Sequence, residues 1–281
     1  MRIAFFIGLI VSQFFAAQLW AQDDVFDLDH SLEFADYLWE NNRPLEASRE
    51  YERCLFLDKD NEGIKWKLAR SLMAAKLRPQ ANKRILHWFP LQQMPNRFGI
   101  VYARNQYALQ NFQALSFEFD ELKLLDIDQR TVGKTALYLR QYEWESANSQ
   151  IQLIPESATK QASTNLLQSG RSIVRKSPAL ATLFSIVIPG TGKMYANRWI
   201  DGIFSLLIVS STAYGSYSGF RDSGIKSFRG WFFGAFALGF YLGNIWGSHK
   251  AARLFNEQKN HDYAEAVDRF FMEHFVLPSP L

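Results

Sequence analysis

A chain of 281 residues with 48% hydrophobic and 21% charged residues has room for two modest domains, and its formal net charge of +3 is too small to argue for a nucleic-acid partner. One cysteine, Cys54, excludes an intramolecular disulfide and a cysteine metal cluster. Apolar content is uneven: residues 22–176 are mixed and polar, whereas 178–247 carry long apolar runs.

The chain begins as an exported one does. Met1-Arg2 gives a short positive start, Ile3 to Phe15 is nearly all apolar, and Ala21 precedes Gln22-Asp23-Asp24. The expectation is a signal peptide over 1–21, removed after Ala21, with an uncleaved anchor helix as the alternative. Either way the residues after 22 belong outside the cytoplasm. No cysteine follows the apolar stretch, so a lipoprotein anchor is excluded. Asp23, Asp24, Asp27 and Asp29 read as a solvated new N-terminus.

The next segment repeats with a period of 34. Phe34-Ala35 recurs as Leu68-Ala69 and Tyr102-Ala103; Leu38 as Leu72; Ala47 as Ala81 and Leu115; Tyr51 as Ile85 and Phe119; Cys54 as Trp88 and Leu122. Asn41-Asn42-Arg43-Pro44 and Leu77-Arg78-Pro79 supply turns between helices. A fourth, slipped helix pair follows, with Ala136 to Leu139 in its first helix and Ala147, Ile151 and Ile154 in its second. This pattern resembles the tetratricopeptide repeat (TPR). Trp88 and Leu122 depart from it by being large where a small residue is usual, and Gln106 by being polar.

The resemblance implies an all-α helical solenoid over 22–155, with the alanines where paired helices approach closely. It also implies a scaffold for peptides or proteins, whose first helices line a concave face. The 34-residue register puts Asp36, Arg70 and Arg104 in one row of that face. Trp39, Met73 and Tyr107 fall in the next row, and Leu32, Trp66 and Ile100 one turn before. Guanidinium forks match carboxylates, so such a groove suits an acidic peptide or a terminal carboxylate. The competing expectation is that Asp36 pairs with Arg70, while the aromatics pack internally or meet the chain's own C-terminal helix.

Residues 156–176 are rich in Ser, Thr, Gln and Asn, and predict a polar linker helix. A small helical membrane domain is expected over 177–250. Ser177 and Pro178 start a helix that Pro189-Gly190 stops. Its apolar run rises only about 15 Å, half of a hydrocarbon core, so a half-membrane helix is expected. Two full spans are expected near 199–220 and 231–248. Gly239, Gly243 and Gly247 are spaced by four, and Gly215 and Gly219 repeat the spacing. These faces predict close helix–helix contact within the chain, or a homodimer. Pro189, Gly190, Gly192 and Tyr195, followed by Asn197, Trp199 and Gly202, are similar to the P-G-x-G-x-x-Y element of a bacterial envelope domain of unknown function. That domain is itself similar to the two-transmembrane ("TM-two") family; Lys193 stands where Gln is usual. The likeness implies a compact membrane unit without known chemistry. Residues 251–281 predict an amphipathic C-terminal helix, on the membrane or packed within the chain.

No catalytic, cofactor or metal constellation emerges. Gly190-Thr191-Gly192-Lys193 lacks the phosphate-loop glycine at Val187 and the hydroxyl at Met194. The five histidines have no zinc-site spacing, and no Gly-x-Ser-x-Gly elbow occurs. The sequence therefore predicts a non-enzymatic scaffold, tethered to the lipid bilayer of a bacterial envelope, the inner membrane, with its repeats in the periplasm and a protein or peptide partner. The alternative is a subunit of a machinery for protein insertion, secretion or envelope transport.

Overall fold

The computed structural model describes residues 27–277, so the signal-peptide expectation lies outside the described residues. The fold is all-α, with no strand among the described residues. In chain order the helices are α1 (Leu28–Glu40), α2 (Pro44–Leu57), α3 (Glu62–Ala74), α4 (Arg78–Trp88), α5 (Asn96–Ala108), α6 (Phe112–Glu121) and α7 (Ile127–Arg140). Then follow α8 (Trp144–Leu153), α9 (Ala158–Arg171), α10 (Pro178–Val187), α11 (Thr191–Tyr195), α12 (Trp199–Ser223) and α13 (Phe228–His274). Two compact units result. Of the described residues, one contains 27–137 together with 272–277; the other is Tyr138–Phe271.

Local chemistry sets the helix starts. The Asp27 carboxylate accepts from the His30 amide at 2.9 Å, and this bond, joined by one from the His30 ring, holds its pKa below the usual value. Asn61 caps α3 through the Ile64 amide at 3.1 Å. Pro44 and Pro79 sit in the first turns of α2 and α4, where a missing N–H is harmless.

The helix ends repeat with the sequence period. Asn42, Lys76 and Gln110 all have positive φ, 57°, 63° and 59°, and stand 34 residues apart. Each is followed by an amide that reaches back to the carbonyl five residues earlier: Arg43 to Leu38, Leu77 to Leu72 and Asn111 to Gln106. This is the Schellman closure, which satisfies the last carbonyls of a helix and turns the chain sharply. Tyr142 (φ 62°), with Glu143 bonding to Tyr138, repeats the device after α7, two residues early.

Burial follows the same period in the first unit. Ala35, Ala69 and Ala103 are fully buried, as are Ala47, Ala81 and Leu115. Tyr51, Ile85 and Phe119 fill the space beyond them. Each large apolar side chain so buried contributes roughly 1.5–3 kcal/mol. Phe34 is the exception: it is half exposed, where Leu68 and Tyr102 are buried. Ion pairs bridge successive pairs, Lys67 to Asp36 at 2.6 Å and Arg84 to Glu52 at 2.7 Å. Cys54 is buried, and burial pushes its thiol pKa up.

In the second unit α8 packs on α9, and Gly170 lies against Trp144 and Tyr263 so closely that a β-carbon there would come within 2.7 Å of both rings. The expected half-length helix is α10, ten residues long and capped by Ser177. The expectation of two full spans is not supported, since no described helix is long and apolar enough to cross a membrane. The reason is composition. Ser210, Ser211, Thr212, Ser216 and Ser218 dilute α12 behind its Ile203–Val209 block, and five glycines with Asn244 dilute the first half of α13. Nor does the secondary structure break at 250. Lys250-Ala251-Ala252-Arg253-Leu254 are good helix formers, and α13 runs through them for 47 residues.

Candidate functional site

The first unit carries the row Asp36, Arg70 and Arg104 on α1, α3 and α5, and the fold gives each a different environment. Asp36 does not pair with Arg70. It takes the Lys67 ammonium at 2.6 and 2.8 Å and the Tyr51 hydroxyl at 2.7 Å. Burial, and then that carboxylate, push the Tyr51 phenol far up. Arg70 lies over two indoles, 5.1 Å from Trp39 and 5.7 Å from Trp66. It has no hydrogen bond or ion pair among the described residues, its Nε is buried, and loss of solvent lowers its pKa. Arg104 donates to the Phe275 carbonyl at 2.7 Å. Its pKa is lowered by desolvation and then by Arg78.

The neighbouring rows are less open than the register suggested. Trp66, Ile100 and Tyr107 are buried, at 5%, 4% and 4% exposure. Trp66 packs edge-on against Phe98 at 5.6 Å, and Tyr107 against Phe112 at 5.1 Å. Trp39, Met73 and Leu32 remain half-buried. The accessible chemistry is thus a cation on aromatic rings. Arg97 adds to it, 5.6 Å from Trp66 while paired with Glu62 at 2.5 Å.

Two further features lie off that row. Phe275 is fully buried, with its ring centroid 5.7 Å from that of Phe119. Gly133 makes room for both rings: a β-carbon there would fall 2.5 Å from Phe119 and 2.9 Å from Phe275. Gly133 and Gly99 stand one period apart, the sequence signal closest to this slot. Separately, a cleft of about 630 Å³ between α2 and α4 is lined by Arg49, Glu52, Lys83, Arg84 and His87 among others. It lies on second helices, away from the row of Asp36, Arg70 and Arg104.

In the second unit the motif Pro189 to Tyr195 builds a crossing of helices. Gly190 (φ 90°) packs on α12 so tightly that a β-carbon would sit 2.0 Å from the Gly202 carbonyl oxygen. One on Gly192 would sit 1.9 Å from the Ala181 oxygen. A buried polar chain ties α10, α11 and α13 together. The Gly190 amide donates to Asn244 Oδ1 (3.1 Å), the Gly192 amide to Ser185 Oγ (3.1 Å), and Ser185 Oγ meets Ser248 Oγ at 2.6 Å. Lys193 passes Gly247, 3.2 Å from where its β-carbon would be, and donates to Ser205 at 2.8 Å. The Tyr195 hydroxyl accepts from the Ser177 amide at 3.1 Å, and Lys176 lies 4.8 Å over its ring. Asn197 takes positive φ in the next Schellman turn, with the Arg198 amide reaching Lys193.

The glycine faces pair differently from expectation. Gly219 packs on Gly230, and Gly215 on the Phe233 ring. Gly239 and Gly243 have nothing within 4 Å of a β-carbon, because α12 meets α13 near their shared turn rather than farther along. Exposed around them are Phe236, Leu238, Phe240 and Leu242.

No protein-family model matches this chain, and neither does a curated protein or a solved structure.

Proposed function

We propose that this chain is a TPR-like scaffold that binds the carboxylate-bearing segment of a protein partner and is held against a lipid surface by its second unit. The observation that carries the binding half is Arg70. A half-buried guanidinium on two indoles, with no carboxylate of its own among the described residues, favours a ligand that brings one. The 34-residue recurrence of buried alanines and left-handed turns supports the repeat reading. A binding role, not a catalytic one, fits this chemistry.

The lipid half rests on exposure. Ile200, Phe204, Leu207, Phe236, Leu238 and Phe240 are 44–71% exposed on α12 and α13, an apolar surface of a kind that marks an interaction site. Their helices are not apolar enough for a crossing, so insertion into one leaflet is the mode that agrees with both facts. The Gly-rich turn supports kinship with the P-G-x-G-x-x-Y envelope domain. The apolar segment Ile3 to Phe15 supports export, with the repeats on the periplasmic side.

A peptide array probed with the full chain tests the binding half. Peptides ending in a free carboxylate should bind, and amidation or Arg70→Gln should each reduce the signal about tenfold, roughly 1.4 kcal/mol. Lys83→Glu in the α2–α4 cleft should change nothing. If Lys83→Glu abolished binding and Arg70→Gln did not, the partner would sit in that cleft and the Arg70 reading would be wrong. Flotation with phospholipid vesicles tests the other half: the chain should float, and Phe236→Asp with Phe240→Asp should leave it at the bottom of the gradient.

A further inference from the structure

We propose that residues 272–277 act as an internal ligand of the repeat unit, holding a slot that a partner segment with an aromatic residue beside a carboxylate must take from them. The proposal rests on the peptide-binding reading above and adds which segment competes and for what.

Three features describe the slot. Phe275 is fully buried while its neighbours Glu273 and Val276 are exposed, so one side chain anchors the segment. Its ring lies against Phe119, in space that exists only because α7 has glycine at position 133. Glycine inside a helix costs roughly 0.5–1 kcal/mol relative to alanine, so its presence here needs the ring contacts as a reason. The Phe275 carbonyl, just past the end of α13, accepts from Arg104.

Arg104 is the reason the segment can be displaced. It has no carboxylate partner among the described residues, and Arg78 stands near enough to disfavour its charge. A neutral carbonyl satisfies one N–H of a half-buried cation, and it and the end of α13 oppose the charge with partial negative charge alone. A carboxylate at the same place adds the opposite full charge, and its two oxygens can take two parallel N–H bonds from the guanidinium fork. An outside segment that supplies the same aromatic anchor and a carboxylate is therefore better matched to the slot than the chain's own tail. The tail's advantage is its tether, which gives it an effective concentration on the order of millimolar.

The test uses a fluorescent peptide of residues 270–275 with a soluble tag and a free terminal carboxylate, so that a carboxylate replaces the Phe275 carbonyl. It should bind the full chain carrying Phe275→Ala about tenfold more tightly than the unaltered chain, since the slot is then vacant. The amidated peptide should bind more weakly, and Arg104→Gln should erase the difference between acid and amide. On the unaltered chain, saturating peptide should raise hydrogen exchange at the amides of 272–277, a readout that does not depend on the variant folding well. Equal affinity for both chains with unchanged exchange overturns the proposal, as does exchange that rises without any preference for the acid. If either happens while Arg70-dependent binding on the array persists, only the internal-ligand role fails. If the array signal is also absent, the binding reading fails with it.

Discussion

Arg104 on α5 donates a 2.7 Å hydrogen bond to the carbonyl of Phe275, 171 residues later, where α13 has just ended. A cation at a helix C-terminus is favourable both as a cap for an unsatisfied carbonyl and against the helix dipole.

Replacing Arg104 by methionine should therefore destabilise the first unit. Hydrogen bonds to charged groups contribute about 1.5–3 kcal/mol, and the figure here belongs at the low end because the site is only half buried. Urea denaturation followed by hydrogen exchange in α5 and α6 measures it. Loss confined to residues 272–277, with α5 and α6 unaffected, would show that the bond fixes the tail without supporting the repeats.

Lys76 and Gln110 hold positive φ at helix ends where glycine is the usual residue. A left-handed residue with a β-carbon costs roughly 1–2 kcal/mol. Glycine's greater freedom in the unfolded chain takes back about 0.5–1. Lys76→Gly and Gln110→Gly should each raise stability by a few tenths to about 1 kcal/mol, and Lys76→Val should lower it. A fall in the urea midpoint for both glycine variants would mean that these side chains hold the turns in another way.

The glycines of the second unit should separate into two groups. Gly190→Ala and Gly192→Ala place a β-carbon about 2 Å from a backbone oxygen, and neither oxygen can move without opening the crossing. Their effect should reach or exceed the upper end of the usual ~1–3 kcal/mol overpacking penalty. Gly239→Ala and Gly243→Ala meet open space and should be neutral or slightly stabilising. Limited proteolysis between α10 and α12 distinguishes the groups; equal behaviour would show that the face of Gly239 is covered in the protein as it works.

Alkaline pH should weaken the fold. Burial raises the pKa of Tyr51, Tyr102 and Tyr263 above the ordinary phenol value, and of Cys54 above the ordinary thiol value. Each raised group stays protonated in the fold while the unfolded chain ionises. Its contribution is thus complete below the unfolded pKa and is lost as pH rises toward the folded one, by up to about 1.4 kcal/mol per pH unit per group. Stability should decline above about pH 9, and more steeply above about pH 10, where unfolded phenols ionise. Phenolate absorbance should show the three tyrosines ionising only together with unfolding; early ionisation of all three in the folded chain would contradict the burial.

The repeat was legible because its cause is local and periodic. A small residue is needed wherever two helices touch, so Ala35, Ala69 and Ala103 announce the contact, and Leu77-Arg78-Pro79 announces the turn. The surroundings of Asp36, Arg70 and Arg104 were less legible. Register placed Asp36 and Arg70 in one row but did not reveal that Lys67, one turn before Arg70, reaches Asp36 first. Nor does a hydrophobic count distinguish a buried Trp66 from a displayed one, since the ring is apolar in either setting.

Propensity, caps and period act within a few residues of one another, so the all-α class, the helix pairs through Leu153, the short helix α10 and the Gly-rich turn after it are written in local sequence. Three-dimensional packing is what assigns Asp36 to Lys67 and Tyr51, Gly219 to Gly230, and Phe275 to Phe119 and Gly133. Those pairings join residues far apart in the chain. What selects them is which surfaces remain to be buried once the helices exist, and no local pattern of residues encodes that choice.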